Sequence, residues 1–338
     1  MTSVPSHSTR AAEILEQAIV WDNVWPVDLG GDHAYDNGWD KLDRFASCGI
    51  SMLSITLAGD NQNISEAVQL VAWARNYLLS KPDRYRLVER IDDVFEAKRQ
   101  GRLGVGLHFE GTRCLERNLN MVEAFYKLGV RQNILAFNNT NCAGGGCADV
   151  NDPGLTAYGR KLVVEMQRVG MLVDLSHTGY RTTMDALEMA TAPMVFSHSN
   201  SAAIHDSFRN ITDEQVRACA RTGGLVGVSG SSGYLGDERC RTETLFRHVD
   251  HYVQLVGPSH VGLGIDVVFN HKKLSDYIRQ RSDEWPIAKD PSWPGFRYVM
   301  PEQILELVEI MLRQGYTDED VVSILGRNYT RICGQIWR

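Results

Sequence analysis

Eight short apolar runs, separated for the most part by amphipathic helical patterns, constrain the fold of this chain more than any other feature. The runs are 18–24 (AIVWDNV), 51–57 (SMLSITL), 104–110 (GVGLHFE), 132–137 (QNILAF), 171–177 (MLVDLSH), 193–198 (PMVFSH), 224–230 (GLVGVSG) and 260–266 (HVGLGID). Such runs, apolar throughout rather than at every second residue, fit parallel strands buried on both faces. Between them, 64–79 is amphipathic after Asn63, and 155–169 ends at Gly170, a C-cap residue. Further helical patterns cover 182–190, 212–221 and 242–256. Eight strand–helix alternations predict an α/β fold of the parallel (β/α)8 TIM-barrel type. A doubly wound sheet would need a glycine-rich phosphate loop after its first strand, and WDNVWPVDLGG is not one.

A length of 338 residues suits one barrel. The expectation is a single domain over 1–338 with a helical extension from about 300, where Pro301 takes a first-turn position. Thr317 and Asp320 have the spacing of a helix-capping pair. Segment 271–300 is polar, holds Trp285, Trp293 and three prolines, and reads as an irregular loop over the barrel mouth.

In a parallel barrel the carboxyl ends of the strands converge on one mouth. The runs end at Glu110, His177, His198 and Asp266, and Asn138 follows the fourth run. Two successive buried strands ending in histidine point to a metal site, because neutral imidazole is the commonest metal ligand. Glu110, His177 and His198 supply three N/O ligands, enough for a catalytic zinc with a position left for water. Asp266 is then the candidate proton carrier. Arg209, in SFRNIT, is a candidate for gripping a substrate carboxylate with its planar fork. Asn138 is a further candidate substrate contact. Strand alternation puts His108 on the face of Glu110, and Asp22 on that of Val24. His108 and Asp22 are either extra ligands or structural groups.

The net charge of −7 and the lack of a basic block argue against a nucleic-acid partner. No apolar stretch approaches the roughly 20 residues of a membrane span, and MTSVPSHSTR has no apolar signal-peptide core. Seven scattered cysteines fit reduced thiols in a cytoplasmic protein. Cys142 and Cys147 bracket a glycine-rich loop and have no second pair with which to build a zinc site.

With these residues in view, the chain resembles the membrane (renal) dipeptidase family of zinc peptidases from about residue 18 to its end. The resemblance rests on FEG at 109–111, LGVR at 128–131, NDPGLTAYGRKLVVEMQRVGMLVDLSHTGYRT at 151–182 and PMVFSHSNSAA at 193–203. RNITDE at 209–214, HVGLGID at 260–266 and ILGRNYTRI at 324–332 extend it. It implies a metal-dependent hydrolase barrel, two zinc ions, dipeptide cleavage and a homodimer. In that reading Glu110 bridges the metals and His177 and His198 hold one of them. Arg209 binds the substrate carboxylate, and Asp266 handles the proton and the substrate's amino group.

Two departures qualify it. Val24 and Pro26 stand where the family's first strand carries His-x-Asp, and Phe137 stands where the family has a histidine that steadies the tetrahedral intermediate. One Zn2+ site is therefore expected complete and the second lost, with His108, Asp22, Asp28, Asp32 and His33 as nearby candidates to replace it. The expected function is a zinc-dependent, dipeptidase-like metallohydrolase acting on a small carboxylated amide, with no nucleic-acid or membrane partner. One alternative is a related barrel enzyme that hydrolyses a C–N or lactone bond of a non-peptide carboxylated molecule. Another is a binding homologue that has lost catalysis, against which the joint retention of Glu110, His177, His198, Arg209 and Asp266 argues.

Overall fold

The computed structural model describes residues 7–27 and 38–338. Asp28, Asp32 and His33 lie outside the described residues. The strands are β1 (Trp21–Pro26), β2 (Met52–Gly59), β3 (Tyr85–Leu87), β4 (Leu103–Glu110), β5 (Val130–Ile134), β6 (Leu172–Asp174), β7 (Val195–Phe196), β8 (Leu225–Val228) and β9 (Val261–Leu263). Every pairing among them is parallel, and β1–β2–β4–β5–β6–β7–β8–β9 closes back on β1 as an eight-stranded barrel. The expected (β/α)8 barrel is the observed fold.

β3 is an additional strand. β2 runs along one edge of β4, so β3 and β5 share the other edge, β3 at its first residues (Tyr85↔Leu103) and β5 higher up (Leu107↔Val130). Three residues are too few to raise a periodicity in the sequence.

Two apolar cores hold the barrel. The larger lies between the strands and the surrounding helices. The second joins Trp21, Met52, Leu172, Val195 and Leu225 to Tyr329, Ile332 and Ile336 of the helix Asn328–Ile336, which thereby closes the lower end. Tyr329 reaches inward and donates its hydroxyl to the Ser197 carbonyl at 3.2 Å. A Cβ on Gly262 would lie 2.7 Å from its ring, so that position requires glycine.

The helices Ile64–Leu79, capped by the Asn63–Glu66 box, and Thr242–Val256 have the expected bounds. Ala157–Val169 ends at Gly170 with φ +92°, as a C-cap glycine should. Segment 271–300 differs from expectation. It contains the helix His271–Arg279 and a 3-10 turn, Pro286–Lys289. With Leu274 and Ile278 as its main buried apolar residues, that helix has a stripe too narrow to read by periodicity. Trp285 and Trp293 are only 5% and 7% exposed, packed within their own chain.

The apolar runs outlast the hydrogen-bonded strands. β6, β7 and β9 stop at Asp174, Phe196 and Leu263, so His177, His198 and Asp266 sit two or three residues beyond, on the loops of the mouth. β1 carries one extra residue between Asp22 and Trp25 relative to β2. This bulge breaks the alternation that would have put Asp22 and Val24 on one face.

Candidate active site and metal centre

The strand ends bring Glu110, His177 and His198 together, with one ligand atom from each within 4.8 Å of the others. All three residues are buried. The two imidazoles point at each other, Nε2 to Nε2 at 2.8 Å. Glu110 Oε1 stands 3.8 Å from His198 Nε2 and has no hydrogen-bond partner.

Asn138 sets the tautomer of His177. Its Nδ2 donates to the Glu284 carbonyl at 2.9 Å, so its Oδ1 is the atom that faces His177 Nδ1, at 2.6 Å. Nδ1 therefore carries the proton, and Nε2 presents its lone pair to the centre. Burial lowers both histidine pKa values well below the usual 6.5, Arg209 lowers them further, and the imidazoles enter the centre neutral. A buried orphan carboxylate oxygen and two neutral imidazoles converging on one point fit a divalent metal ion with N/O preference.

Asp174, buried inside the barrel, is the group that sequence reasoning missed. Its Oδ1 accepts from the amides of Ser176 and Ser197, both at 3.0 Å, which are the residues before the two histidines. Its Oδ2 accepts from Gln132 at 2.8 Å. Ser176 Oγ accepts from the His198 amide at 3.1 Å. One carboxylate thus fixes the backbone of both ligand loops. The Asp in DLSH was in view, but its partners depend on register between strands.

The glycine-rich loop between Cys142 and Cys147 also has a role. The Cys147 amide donates to the His177 carbonyl at 2.8 Å, and the Gly179 amide donates to the Gly145 carbonyl at 2.9 Å. A Cβ on Gly146 would fall 2.1 Å from the Asn138 carbonyl, so only glycine lets the loop clamp the ligand turn. The seven cysteines are unpaired. Burial pushes the Cys147 thiol up to about 12, and it contacts Asn138 Oδ1 at 3.4 Å as a donor.

Six described non-glycine residues have positive φ, and Asn138 (+58°), His177 (+61°) and Asp266 (+60°) are three of them. Backbone held in the left-handed region concentrates where side chains must be aimed.

Arg209 is 2% exposed, not on the surface. Its Nη1 donates to Ser199 Oγ and its Nη2 to the His198 carbonyl, both at 2.8 Å, while Nε has no partner. Arg209 and His177 line one cleft of about 340 Å³. Burial raises the Asp266 pKa well above the usual carboxylate value, and Glu110 and Asp22 raise it further against the pull of Arg209.

Among the described residues, the spare groups His108 and Asp22 do not join the cluster. His108 Nε2 is 2.7 Å from Thr56 Oγ1 and 3.6 Å from Glu110 Oε1, beside the ligand set. Asp22 Oδ1 accepts from the Ile265 amide at 2.8 Å, and its Oδ2 is orphaned. Val24 is fully buried and belongs to neither apolar core. The Phe137 ring stacks on His177 at 4.2 Å and meets Trp285 edge-on at 5.7 Å.

Residues 45–278 match the model of the membrane dipeptidase family, peptidase family M19. An uncharacterized dipeptidase of Schizosaccharomyces pombe is 27% identical over 280 residues, covering 80% of this chain and 62% of the relative. The dipeptidase tcpJ of Claviceps purpurea is 28% identical over 258 residues, covering 75% and 56%. The chain spans about three-fifths of the length of these two relatives. An uncharacterized Klebsiella pneumoniae protein from the pqqA 5′ region is 27% identical over 281 residues, covering 80% and 96%. Among solved structures, an amidohydrolase from Pseudomonas aeruginosa superposes with a TM-score of 0.85 at 23% identity, covering 97% of this chain and 99% of that one. A metallo peptidase from Rhodobacter sphaeroides, liganded with a phosphinate mimic of L-Ala-D-Ala, gives 0.73 at 20% identity, covering 95% and 100%. Both are likenesses of fold.

Proposed function

Because the chain belongs to the membrane dipeptidase family, we propose that it is a zinc-dependent hydrolase of small amides bearing a free carboxylate, dipeptides first among them. The observation that carries this reading is the convergence of Glu110, His177 and His198 within 4.8 Å, beside a cleft that His177 shares with Arg209. Two imidazoles and one carboxylate suit zinc, and such an ion acidifies a water molecule and polarises a carbonyl.

The chain's own groups supply the rest. Arg209, held by Ser199 and the His198 carbonyl with Nε free, orients the substrate through its carboxylate. Asp266, whose carboxyl is pushed towards its protonated form by burial and by Glu110, is the group that passes a proton to the departing nitrogen. Phe137 and Trp285 keep water off the outer face of His177. We extend the reading to a cytoplasmic homodimer, on the unpaired thiols and the family resemblance. Among the described residues no helix is long and apolar enough to cross a membrane.

Elemental analysis and a dipeptide panel test this together. The ligand set predicts about one zinc per chain and release of free amino acids, with zinc falling close to zero in His198→Ala. A zinc-loaded protein that cleaves no dipeptide would refute the peptidase reading and favour C–N or lactone hydrolysis of a non-peptide carboxylated molecule. The observation on the side of that second reading is Phe137, an aromatic ring where the family carries a histidine.

A further inference from the structure

We propose that the lower face of the barrel carries a second binding site, for a small organic polyanion bearing phosphate or carboxylate groups. A cavity of about 500 Å³ opens there, beside β3 and the start of β4. Arg102 precedes β4 and Glu110 ends it, so Arg102 lies roughly 25 Å from the metal centre along that strand.

Five arginines line this cavity, Arg86, Arg90, Arg102, Arg131 and Arg338, and no lysine does. The two side-chain carboxylates among the lining residues are already engaged. Asp93 pairs with Arg86 at 2.6 Å and accepts the amides of Glu89 and Arg90. Glu89 pairs with Arg75 at 2.6 Å. Among the described residues, Arg90, Arg102 and Arg131 have no carboxylate within ion-pair distance.

Arg131 makes this a built site. It is 7% exposed, and its Nε and Nη1 donate to the carbonyls of Glu89 and Tyr126 at 2.7 and 2.5 Å. Its guanidinium lies over the Tyr126 ring at 4.0 Å. Those contacts fix the side chain and leave Nη2 with no protein partner. A buried guanidinium that makes no ion pair is costly, and Glu89 and Asp93 act on Arg131 only from beyond ion-pair distance. Clustering further unpaired cations around it, in a chain of net charge −7, adds repulsion that an anionic ligand removes.

The choice of arginine over lysine favours planar oxyanions, which the guanidinium fork binds through two parallel hydrogen bonds. Leu79, 60% exposed, and Pro82 give the cavity an apolar wall, which favours an organic body over a bare inorganic ion. At the end of the barrel away from the chemistry, such a ligand would stabilise or regulate rather than react.

Titration calorimetry of the full chain tests this, with inorganic pyrophosphate and propane-1,2,3-tricarboxylate as probes and chloride holding the ionic strength constant. Saturable one-to-one binding of either probe is expected, and the probe that binds identifies the oxyanion. The double variant Arg90→Gln with Arg102→Gln removes two unpaired cations and their mutual repulsion, so its thermal midpoint without ligand should equal or exceed the parent's. Its affinity should fall at least tenfold. His198→Ala should bind the probe as the parent does. No saturable binding, undiminished binding by the double variant, or loss of binding in His198→Ala would each overturn the proposal, the last by placing the anion at the metal centre.

Discussion

The orientation of His177 depends on one side chain, Asn138, and that dependence can be measured. Asn138 accepts from His177 Nδ1 at 2.6 Å and donates to the Glu284 carbonyl at 2.9 Å. Phe137, next to it, stacks on His177 and packs against Trp285. Glu284 and Trp285 therefore reach the ligand histidine through two adjacent residues. Asn138→Gly deletes the side chain at a position with φ +58° that glycine adopts without strain. Loss of an outer partner to a metal-bound histidine costs about 10- to 100-fold in affinity, or about 1.4–2.7 kcal/mol. Competition against a chelator with a known zinc constant reads this directly. Asn138→Asp separates the two contacts. It keeps an acceptor for Nδ1 and loses the donor to Glu284. Its zinc affinity should equal or exceed the parent's, while limited proteolysis within 280–290 should speed up. A glycine variant that competes for zinc as well as the parent would refute the reasoning, because His177 would then hold its aim without Asn138.

Three further outcomes follow from the same geometry. Arg209→Lys keeps the charge but not the fork, and should lower kcat/KM for carboxylated substrates about 10- to 150-fold, the worth of a charged hydrogen bond. The residue is buried with two anchors, so the thermal midpoint should fall as well; an unchanged midpoint would contradict that packing. Burial pushes the Asp22 carboxyl from 3.8 up to about 7, so the folded chain keeps a proton that the unfolded chain gives up. Its contribution to stability is full below about pH 4 and is lost as pH rises to about 7, by about 4 kcal/mol. Asp22→Asn retains an oxygen for the Ile265 amide and cannot ionise, so its stability advantage over the parent in urea unfolding should widen from pH 5 to pH 8; a constant gap would refute the assignment. Val24→His with Pro26→Asp should raise zinc uptake from about one towards two ions per chain, and unchanged uptake would count against the alignment of β1.

The parts of the site legible in the sequence are those where residue type alone carries the chemistry. A histidine after MLVDLS and another after MVFS stand out because two successive buried runs end in the same metal-binding residue type, and parallel topology then forces them to one mouth. The supporting shell is written in pairs that only register brings together. Asp174 reaches the Ser176 amide locally and the Ser197 amide across β6 and β7; its run marks it as buried, but only register supplies the second partner. Asn138 reads as a substrate contact until Glu284, 146 residues later, fixes which way its amide points. Arg209 was legible as a cation but not as a buried one, because its burial comes from Ser199, His198 and the Tyr234 ring at 5.7 Å. The bulge in β1 marks the limit of alternation as a guide: one inserted residue between Asp22 and Trp25 reassigns every side chain between them. That bulge lies in the strand where the family's other metal ligands would stand. Whether the two ligand positions implied by the family resemblance fall on Val24 and Pro26 and how the backbone runs there are therefore one question, and restoring the side chains tests both.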